Sequence, residues 1–232
     1  SGDPLEYGKL LVGKTILSSK GYGMFVDFYL SGNVIMNIGD GVSARYYNPG
    51  DKVPANYQLL LTFKDESFLV FTVAMYGFIS AYPDAVIDNK YYTISRESIS
   101  PLSDAYTEAE FEKLFAFAKK TLTAKALLAT EQRIPGVGNG VTQDILFNAG
   151  IHPKQKVFDL SDGQKGVLFK SLKDTLMAMT SGRGRDTQTD LYGNEGGYKT
   201  ILSSKTWKNP CPRCGSVIVK EAYLGAVSYT HL

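Results

Sequence analysis

The residues best suited to chemistry lie in one stretch, residues 125–153, which reads KALLATEQRIPGVGNGVTQDILFNAGIHP. Glycines at 136, 138 and 140 create a turn where the backbone can approach a ligand without interference from a Cβ atom. Asn139 is placed to cap the next helix, whose unpaired N–H groups and dipole favour an anion. Lys125, one helix earlier, could bring a positive charge to that anion. We interpret the stretch as a phosphate-binding turn between two helices. The alternative is a hairpin whose glycines only permit the bend.

Two cysteines form a second candidate site, in the sequence Cys211-Pro212-Arg213-Cys214-Gly215. Two thiolates at this spacing supply half of a tetrahedral zinc site. The chain has no other cysteine, so the alternative is an unmetallated turn with two free thiols. A redox pair is disfavoured, because the motif follows Pro210 in a loop instead of opening a helix.

The composition indicates a globular protein. The 232 residues suffice for two domains, and 44% hydrophobic with 21% charged residues is unlike a disordered chain. No apolar run approaches the roughly 20 residues that span a bilayer, and the start has no signal-peptide pattern, so we expect no membrane association. Two cysteines cannot form a disulfide framework, which indicates a reducing, cytoplasmic location.

The net charge of +2 conceals an uneven distribution. Residues 1–118 carry 9 Lys/Arg and 14 Asp/Glu, a balance of −5, and residues 119–232 carry 16 and 9, a balance of +7. A basic half suits a polyanionic partner, because cationic side chains release counterions from a phosphate backbone. The alternative is an ordinary solvated basic surface.

The first third of the chain reads as strands joined by turns. Residues 24–30 and 34–38 form one predicted hairpin around Ser31-Gly32-Asn33, and residues 57–63 and 68–75 form another. The run FLVFTVAM is apolar on both faces, which predicts a central strand. We expect an antiparallel sandwich or flattened barrel. Residues 84–104 show no periodicity and are expected to be a connector.

Helical patterns follow. Capping boxes at Thr107/Glu110 and Ser161/Gln164 start two helices, and two more are expected at residues 123–131 and after Asn139. The predicted buried stripes are Phe111, Leu114, Phe115 and Ala118 in the first helix, Leu127 and Leu128 in the second, and Val167, Leu168, Leu172, Leu176 and Met179 in the last. Gly182 ends the last helix, and residues 181–198 resemble a mobile loop. Strands followed by helices predict an α+β fold.

The motifs resemble the formamidopyrimidine-DNA glycosylase and endonuclease VIII family. Members carry a similar lysine, a G-(I/V)-G-N turn and a closing A-G-I-H-P, here Lys125, Gly136-Val137-Gly138-Asn139 and residues 149–153. The resemblance covers most of the chain. It implies an incomplete β-sandwich at residues 1–90, a helix–two-turn–helix DNA-binding domain at 105–182, a glycine-rich loop and linker at 183–208, and a partial zinc-finger segment at 209–232.

The resemblance also implies functional residues. Lys125, Gly138, Asn139 and Gly140 would bind a DNA phosphate beside a damaged base. Three residues of the glycine-rich loop are candidate DNA contacts: Arg183, Arg185 and Tyr198. Cys211 and Cys214 would hold zinc, but only as a half-site, since the sole distal candidate is His231 in a tail, residues 228–232, that looks unlike the family. We therefore expect no stable zinc binding, and we interpret that tail as the end of a fragmentary reading frame.

Several family features are not found. The nucleophile in the family is an N-terminal proline amine followed by a glutamate, whereas Pro4 is internal and its nitrogen is an amide. A phosphate-binding lysine of many relatives falls near Gly23. An apolar wedge that fills the gap left by a flipped base is not evident at residues 37–40. We expect the chain as given to be inactive.

The sequence thus predicts a monomeric base-excision repair protein that binds damaged double-stranded DNA. The intact family member would be a DNA glycosylase with abasic-site lyase activity. The main alternative is a non-enzymatic DNA-binding module that keeps the phosphate contact. A more distant alternative is another helix–two-turn–helix protein, such as a ribosomal or topoisomerase relative, against which the loop and the adjacent cysteine pair argue.

Overall fold

The computed structural model describes residues 4–83, 87–116 and 118–230, apart from the side chain of residue 4. The chain divides into two compact units. The first contains Ser1–Glu97 together with Asp190–Asn194, and the second contains Ser98–Thr189 together with Glu195–Leu232. Within the described residues, no helix is long and apolar enough to cross a membrane.

The first unit is built from antiparallel strands that follow one short helix, α1 (Pro4–Leu11). The strands of its two sheets are β1 (Ile16–Tyr22), β2 (Phe25–Leu30), β3 (Val34–Ile38), β4 (Val42–Tyr47), β5 (Leu59–Thr62), β6 (Phe68–Val73) and β7 (Ile79–Pro83). One sheet has the order β1-β2-β3-β7, and the other has the order β4-β6-β5. Both predicted hairpins are confirmed, as β2–β3 and β5–β6, and β6 is central as its apolar pattern predicts.

The core of the first unit lies between these two sheets. Its buried side chains come from β2 and β3 on one side and from β6 on the other: Leu30, Val34, Met36, Ile38, Leu69 and Phe71. Alternation of side chains along each strand places one apolar face inward in both sheets. The predicted sandwich is therefore confirmed.

A helix occupies part of the segment expected to be a connector. Helix α2 (Lys90–Glu97) begins after Asn89, whose Oδ1 accepts the backbone N–H groups of Tyr91 and Tyr92 at 2.9 and 3.1 Å. The Tyr92 hydroxyl donates to the fully buried carboxylate of Asp27 at 2.6 Å. Residues 84–86 of the same segment lie outside the described residues. An N-cap signal alone, with tyrosines and β-branched residues after it, was too weak to predict this helix.

The second unit contains four further helices in the predicted order: α3 (Glu108–Ala116), α4 (Ala124–Ala129), α5 (Asn139–Ala149) and α6 (Asp162–Ser181). A short 3-10 helix, Val157–Asp159, precedes α6. The core combines the predicted stripes of these helices, including Phe111, Leu127, Leu128, Leu168 and Leu172, which are almost fully buried. The α+β class is confirmed.

Three details of the helices differ from the predictions. At Thr107 only half of the capping box forms: Glu110 donates its backbone N–H to Thr107 Oγ1 at 3.3 Å, while the Thr107 N–H bonds to the Ala105 carbonyl. Val167 is 51% exposed, so it does not belong to the buried stripe of α6. The N-cap of α5 is Gly138, and Asn139 is its first helical residue. The Ser161/Gln164 capping box and the end at Gly182 are confirmed.

The second unit ends in a hairpin of β8 (Val219–Tyr223) and β9 (Ala226–Thr230). A small separate cluster of buried residues lies beneath it, formed by Phe147, Leu202, Cys211, Ile218 and Tyr229, with Trp207 packed against its edge. The hairpin is thereby anchored to α5, the helix that follows the glycine-rich turn.

Candidate nucleic-acid interface

The turn between α4 and α5 has an unusual backbone conformation and is held by backbone and side-chain hydrogen bonds. Glu131 and Gln132 adopt left-handed conformations, with φ of 58° and 51°, and Gly136 follows with φ of 85°. The Gln132 side chain accepts the Gly136 N–H at 3.3 Å, and the Val137 N–H donates to Ile134 at 3.1 Å. Two consecutive non-glycine residues in the left-handed region are unusual and indicate a turn fixed by its surroundings.

The turn leaves space for a ligand at Gly138. A Cβ atom built on Gly138 has no heavy-atom neighbour within 4 Å outside its chain neighbours. The first backbone hydrogen bond across this turn of α5 runs from the Thr142 N–H to the Gly138 carbonyl at 3.0 Å. The N–H groups that precede Thr142 therefore have no acceptor within the helix. Open space and unpaired donors at a helix N-terminus are what an anion requires.

Lys125 and Asn139 both face the C-terminal hairpin. The Lys125 ammonium donates to the Tyr223 carbonyl at 2.7 Å and to Ser228 Oγ at 2.8 Å, and the residue is only 4% exposed. Burial lowers the pKa of Lys125, an effect that Glu221 partly opposes. Asn139 Nδ2 donates to the Val227 carbonyl at 3.0 Å, and Asn139 Oδ1 is buried without a partner. A phosphate could reach these groups only if it replaced the hairpin as their partner.

A carboxylate that the sequence analysis did not single out organises this region. Asp144, in the middle of α5, is fully buried and accepts the backbone N–H groups of Ile201 and Leu202 at 2.9 and 2.8 Å. The Tyr198 hydroxyl also donates to it. Burial raises the pKa of Asp144, although these three donors and the charge of Arg185 act in the opposite direction. Its donors lie over fifty residues away in sequence, so no local pattern marks it.

Two of the three predicted loop contacts therefore lie against α5. Tyr198 binds Asp144, and burial together with this neighbouring carboxylate raises the pKa of the Tyr198 phenol. The Arg185 guanidinium lies over the first turn of α5, only 2.2 Å from where a Cβ on Gly140 would stand. Because Gly140 has no side chain, the Arg185 guanidinium can lie against this turn. Arg183 is at the start of the loop, with φ of 55°.

The base of the glycine-rich loop is closed by two backbone hydrogen bonds that end on glycine carbonyls, and by a close approach of Gly196 to Gly184. The Gly197 N–H donates to the Gly182 carbonyl at 2.7 Å, and the Tyr198 N–H donates to the Gly184 carbonyl at 3.0 Å. A Cβ on Gly196 would lie 2.2 Å from the Gly184 carbonyl carbon. The base of this segment, expected to resemble a mobile loop, is therefore a hydrogen-bonded backbone crossing where side chains have no room.

The tip of the same loop belongs to the first unit. Asp190 accepts the backbone N–H groups of Tyr192 and Asn194, both at 2.9 Å. The Arg45 guanidinium donates to the Asp190 carbonyl at 2.7 Å, and the Tyr46 N–H donates to the Leu191 carbonyl at 2.9 Å. The tip is thus fixed along β4, while Tyr192 is 71% exposed.

The first unit presents one pair of large apolar side chains that the sequence analysis missed. Met75 and Tyr76, in the turn between β6 and β7, are 92% and 94% exposed. Met75 has φ of 50°, and the turn is pinned by the Ala74 N–H donating to Gly41 at 2.8 Å. By contrast, Asn37 and Ile38 are buried in β3, so they cannot serve as the apolar wedge that the family resemblance would place at residues 37–40. Among the described residues, the two most exposed large apolar side chains are therefore neighbours in the turn between β6 and β7.

The cysteine motif forms a compact knuckle. The Cys211 N–H donates to the Ser216 carbonyl at 2.8 Å, and the Gly215 N–H donates to the Cys211 carbonyl at 2.9 Å. Cys211 is buried and Cys214 exposed, and hydrogen bonding with Ser216 lowers the pKa of the Cys214 thiol. No group of three or more metal-binding side chains exists among the described residues, and His231 lies outside them. The described residues therefore fit only half of a zinc site.

Comparison with known proteins identifies relatives along almost the whole chain, although no family model matches it. A formamidopyrimidine-DNA glycosylase of Mycoplasma mobile is 27% identical over 97% of this chain and 82% of its own length. That of Cytobacillus firmus is 26% identical over 96% and 82%. That of Streptococcus agalactiae is 29% identical over 90% and 78%.

Solved structures show the same fold. The Lactococcus lactis Fpg protein, in complex with DNA containing an abasic site, superimposes with a TM-score of 0.81 over 98% of this chain and 84% of its own, at 19% identity. The MutM (Fpg) protein of Thermus thermophilus gives a TM-score of 0.76 over 96% and 83%, at 22% identity. The resemblance carried by residues 125–153 is therefore confirmed along the chain, and this protein is a relative of the formamidopyrimidine-DNA glycosylases.

Proposed function

We propose that this protein acts in base-excision DNA repair, as a glycosylase-family protein that binds damaged double-stranded DNA. The observation that carries the proposal is a likeness to formamidopyrimidine-DNA glycosylases over 97% of the chain, far beyond the glycine-rich turn. Several of its structural relatives are complexes with DNA that contains an abasic site. The excess of positive charge in residues 119–232 supports a polyanionic partner.

In the proposed complex, a DNA phosphate lies at the open side of Gly138. The N–H groups of the first turn of α5 donate to its oxygens, and the helix dipole favours its charge. The Asn139 amide and the Lys125 ammonium are the side-chain donors assigned to this phosphate, and both now bind the C-terminal hairpin. Binding then exchanges hydrogen bonds to the hairpin for hydrogen bonds to the phosphate.

Asn139→Ala tests this assignment. Loss of a hydrogen bond to a charged phosphate should weaken binding of a duplex oligonucleotide by about 1–3 kcal/mol, whatever its sequence. Fluorescence anisotropy with intact and abasic duplexes measures the change. The matched control is Asn56→Ala, an exposed asparagine of the first unit. Equal affinity of the two variants would remove Asn139 from the interface.

Catalysis is a separate question from binding. By the family resemblance, the reaction begins when an N-terminal proline amine attacks the sugar C1′ and forms a Schiff base. In a polypeptide of these 232 residues, Pro4 is internal and its nitrogen is an amide. We propose that such a polypeptide binds DNA without forming the intermediate. The non-enzymatic DNA-binding module is therefore the second candidate function.

Borohydride trapping on abasic duplex DNA separates the two candidates. Reduction converts a Schiff base into a stable amine, so a catalytic protein becomes covalently attached to the oligonucleotide. We expect no adduct from the 232-residue polypeptide under conditions where an active glycosylase of the family gives one. A band of cross-linked protein and DNA on a denaturing gel would show that another amine serves as nucleophile.

We further propose that Cys211 and Cys214 do not hold zinc stably by themselves, because a structural zinc site needs four ligands. Two free thiols suit the reducing cytoplasm, where this protein would act as a monomer.

A further inference from the structure

The outer edge of β9 is bonded to one side chain of α5. Gln143 donates from its Nε2 to the Val227 carbonyl at 2.9 Å, and its Oε1 accepts the Tyr229 N–H, also at 2.9 Å. Val227 and Tyr229 are two residues apart, so both of these backbone groups point away from β8. The Gln143 carboxamide therefore takes the place that the peptide group of a third strand would occupy. Because a two-stranded hairpin has little stability of its own, this side chain helps to dock it.

The Val227 carbonyl accepts a second donor from the same helix. Asn139 Nδ2 donates to it at 3.0 Å, beside Gln143 Nε2 at 2.9 Å. A carbonyl oxygen has two lone pairs and can accept both hydrogen bonds. If the Asn139 side chain withdraws, the Val227 carbonyl still keeps its bond to Gln143. Asn139 is therefore the partner that the hairpin can lose without leaving this carbonyl unpaired.

The two amides differ in how completely they are bonded. Gln143 is only 8% exposed, and both ends of its carboxamide have partners. Asn139 is half-buried, and its Oδ1 is buried without a hydrogen-bond partner. Because a buried polar atom without a partner is costly, the observed position of the Asn139 side chain is not its best bonded one. A change of partner relieves Asn139, whereas it would cost Gln143 two hydrogen bonds.

From these contacts we infer that Gln143 is a positioning residue for the phosphate site. It holds β9 against α5 and thereby frees Asn139 to exchange the Val227 carbonyl for a DNA phosphate. The inference rests on the proposed function, which supplies the phosphate. Gln143 does not bind the phosphate in this arrangement, because both ends of its side chain stay bonded to β9.

A double-mutant cycle between Gln143→Met and Asn139→Ala tests this role. Methionine has a similar length but forms neither bond, so Asn139 becomes the amide that holds the Val227 carbonyl, and its withdrawal costs a hydrogen bond. Gln143→Met should therefore weaken binding of a duplex oligonucleotide by about 2- to 10-fold. In the Asn139→Ala background the same change should leave the affinity unaltered. Fluorescence anisotropy measures all four affinities, and circular dichroism checks that each variant folds.

The matched control is Gln58→Met in the first unit. Gln58 Oε1 accepts the Val73 N–H at 2.7 Å, so this variant also removes a glutamine bond to the backbone of a strand. It should leave the affinity for DNA unchanged with and without Asn139. If Gln143→Met has the same effect in both backgrounds, or no effect in either, the inference is wrong while the proposed function stands. Absence of DNA binding by the wild-type protein overturns the proposed function as well.

The side-chain amide resonances of Asn139 and Gln143 give a measurement on the wild-type protein, which decides the matter if Gln143→Met does not fold. On titration with the duplex, we expect the Asn139 Nδ2 resonances to shift and the Gln143 Nε2 resonances to keep their positions. A shift of both would show that the edge of β9 is released as a whole. With DNA bound, unshifted Asn139 resonances would show that Asn139 keeps its bond to Val227. Either result overturns the inference.

Discussion

Each unit contains a fully buried carboxylate that is hydrogen-bonded by uncharged donors. In the first unit Asp27 accepts from Asn37 Nδ2 at 2.5 Å and from the hydroxyls of Tyr92 and Tyr29 at 2.6 and 3.3 Å. In the second unit Asp144 accepts two backbone N–H groups. Because a buried charge without donors is strongly unfavourable, each carboxylate makes its donors essential to the fold around it.

Tyr92→Phe tests this at the residue scale. Removing one donor from a buried carboxylate should lower the free energy of unfolding at pH 7 by about 1–3 kcal/mol. Urea denaturation followed by circular dichroism measures it. Tyr91→Phe, on the same helix but 47% exposed, is the control and should change stability by less than about 0.5 kcal/mol. Equal stability of the two variants would contradict the role of Tyr92.

The Tyr92 phenol also makes the stability of the protein depend on pH. Burial, followed by the hydrogen bond to Asp27 and the charge of Asp27, raises the pKa of Tyr92 from 10.0 to about 12. Because the pKa of Tyr92 is higher in the folded state, the protonated phenol stabilises the fold fully below pH 10. That stabilisation is lost as the pH rises from 10 to about 12. Tyr92→Phe should therefore flatten the alkaline decline of stability in that window. A decline as steep as in the wild-type protein would show that other groups cause it.

At the scale of elements, the turn between β6 and β7 holds Met75 and Tyr76 outward on a fixed backbone. A Cβ on Gly77 would lie 2.7 Å from the carbonyl carbon of Gly41, so two turns meet here with only glycine between them. Apolar side chains presented in this way can enter a base stack, because inserted Met and aromatic residues replace contacts between bases.

Met75→Ser/Tyr76→Ser should reduce the preference for abasic over intact duplex DNA by about 1–3 kcal/mol, the order of one base-stacking contact. Competition binding with the two duplexes measures the preference. Met177→Ser, which alters a half-exposed methionine on α6, should leave it unchanged. If both duplexes lose affinity equally, Met75 and Tyr76 contact DNA of either kind and do not fill the space left by a missing base.

The sequence was most informative where one element carries its own periodicity. The stripes of α3 and α6 and the turns of two hairpins are local patterns, and the structure confirms them except at Val167. Helix α2 was missed because Asn89 is its one local signal. Asp144 and the Met75–Tyr76 turn were missed because burial and exposure there depend on distant partners. The hydrogen bonds of Lys125 and Asn139 to the hairpin were hidden for the same reason.

At the scale of the molecule, the two compact units provide a test of cooperativity. Trp207 lies in the second unit, so its fluorescence follows that unit, whereas far-ultraviolet circular dichroism follows both. If the units unfold separately, Tyr92→Phe should shift the circular dichroism transition but leave the fluorescence transition in place. Urea titrations with both probes decide this. A common shift in both signals would indicate one cooperative unit.

The paired glycine crossings have a consequence for how this protein could vary. Residues 185–195 are connected to the rest of the chain through Gly184 and Gly196. The close approach of these two glycines fixes the distance between the two ends of the segment. Residues 187–195 can vary in sequence while both glycine crossings stay in place, whereas Arg185 lies against α5 and Asp186 accepts the Thr200 N–H beside the backbone donors of Asp144. The sequence of residues 187–195 can therefore vary among related proteins, whereas Gly184 and Gly196 must stay glycine.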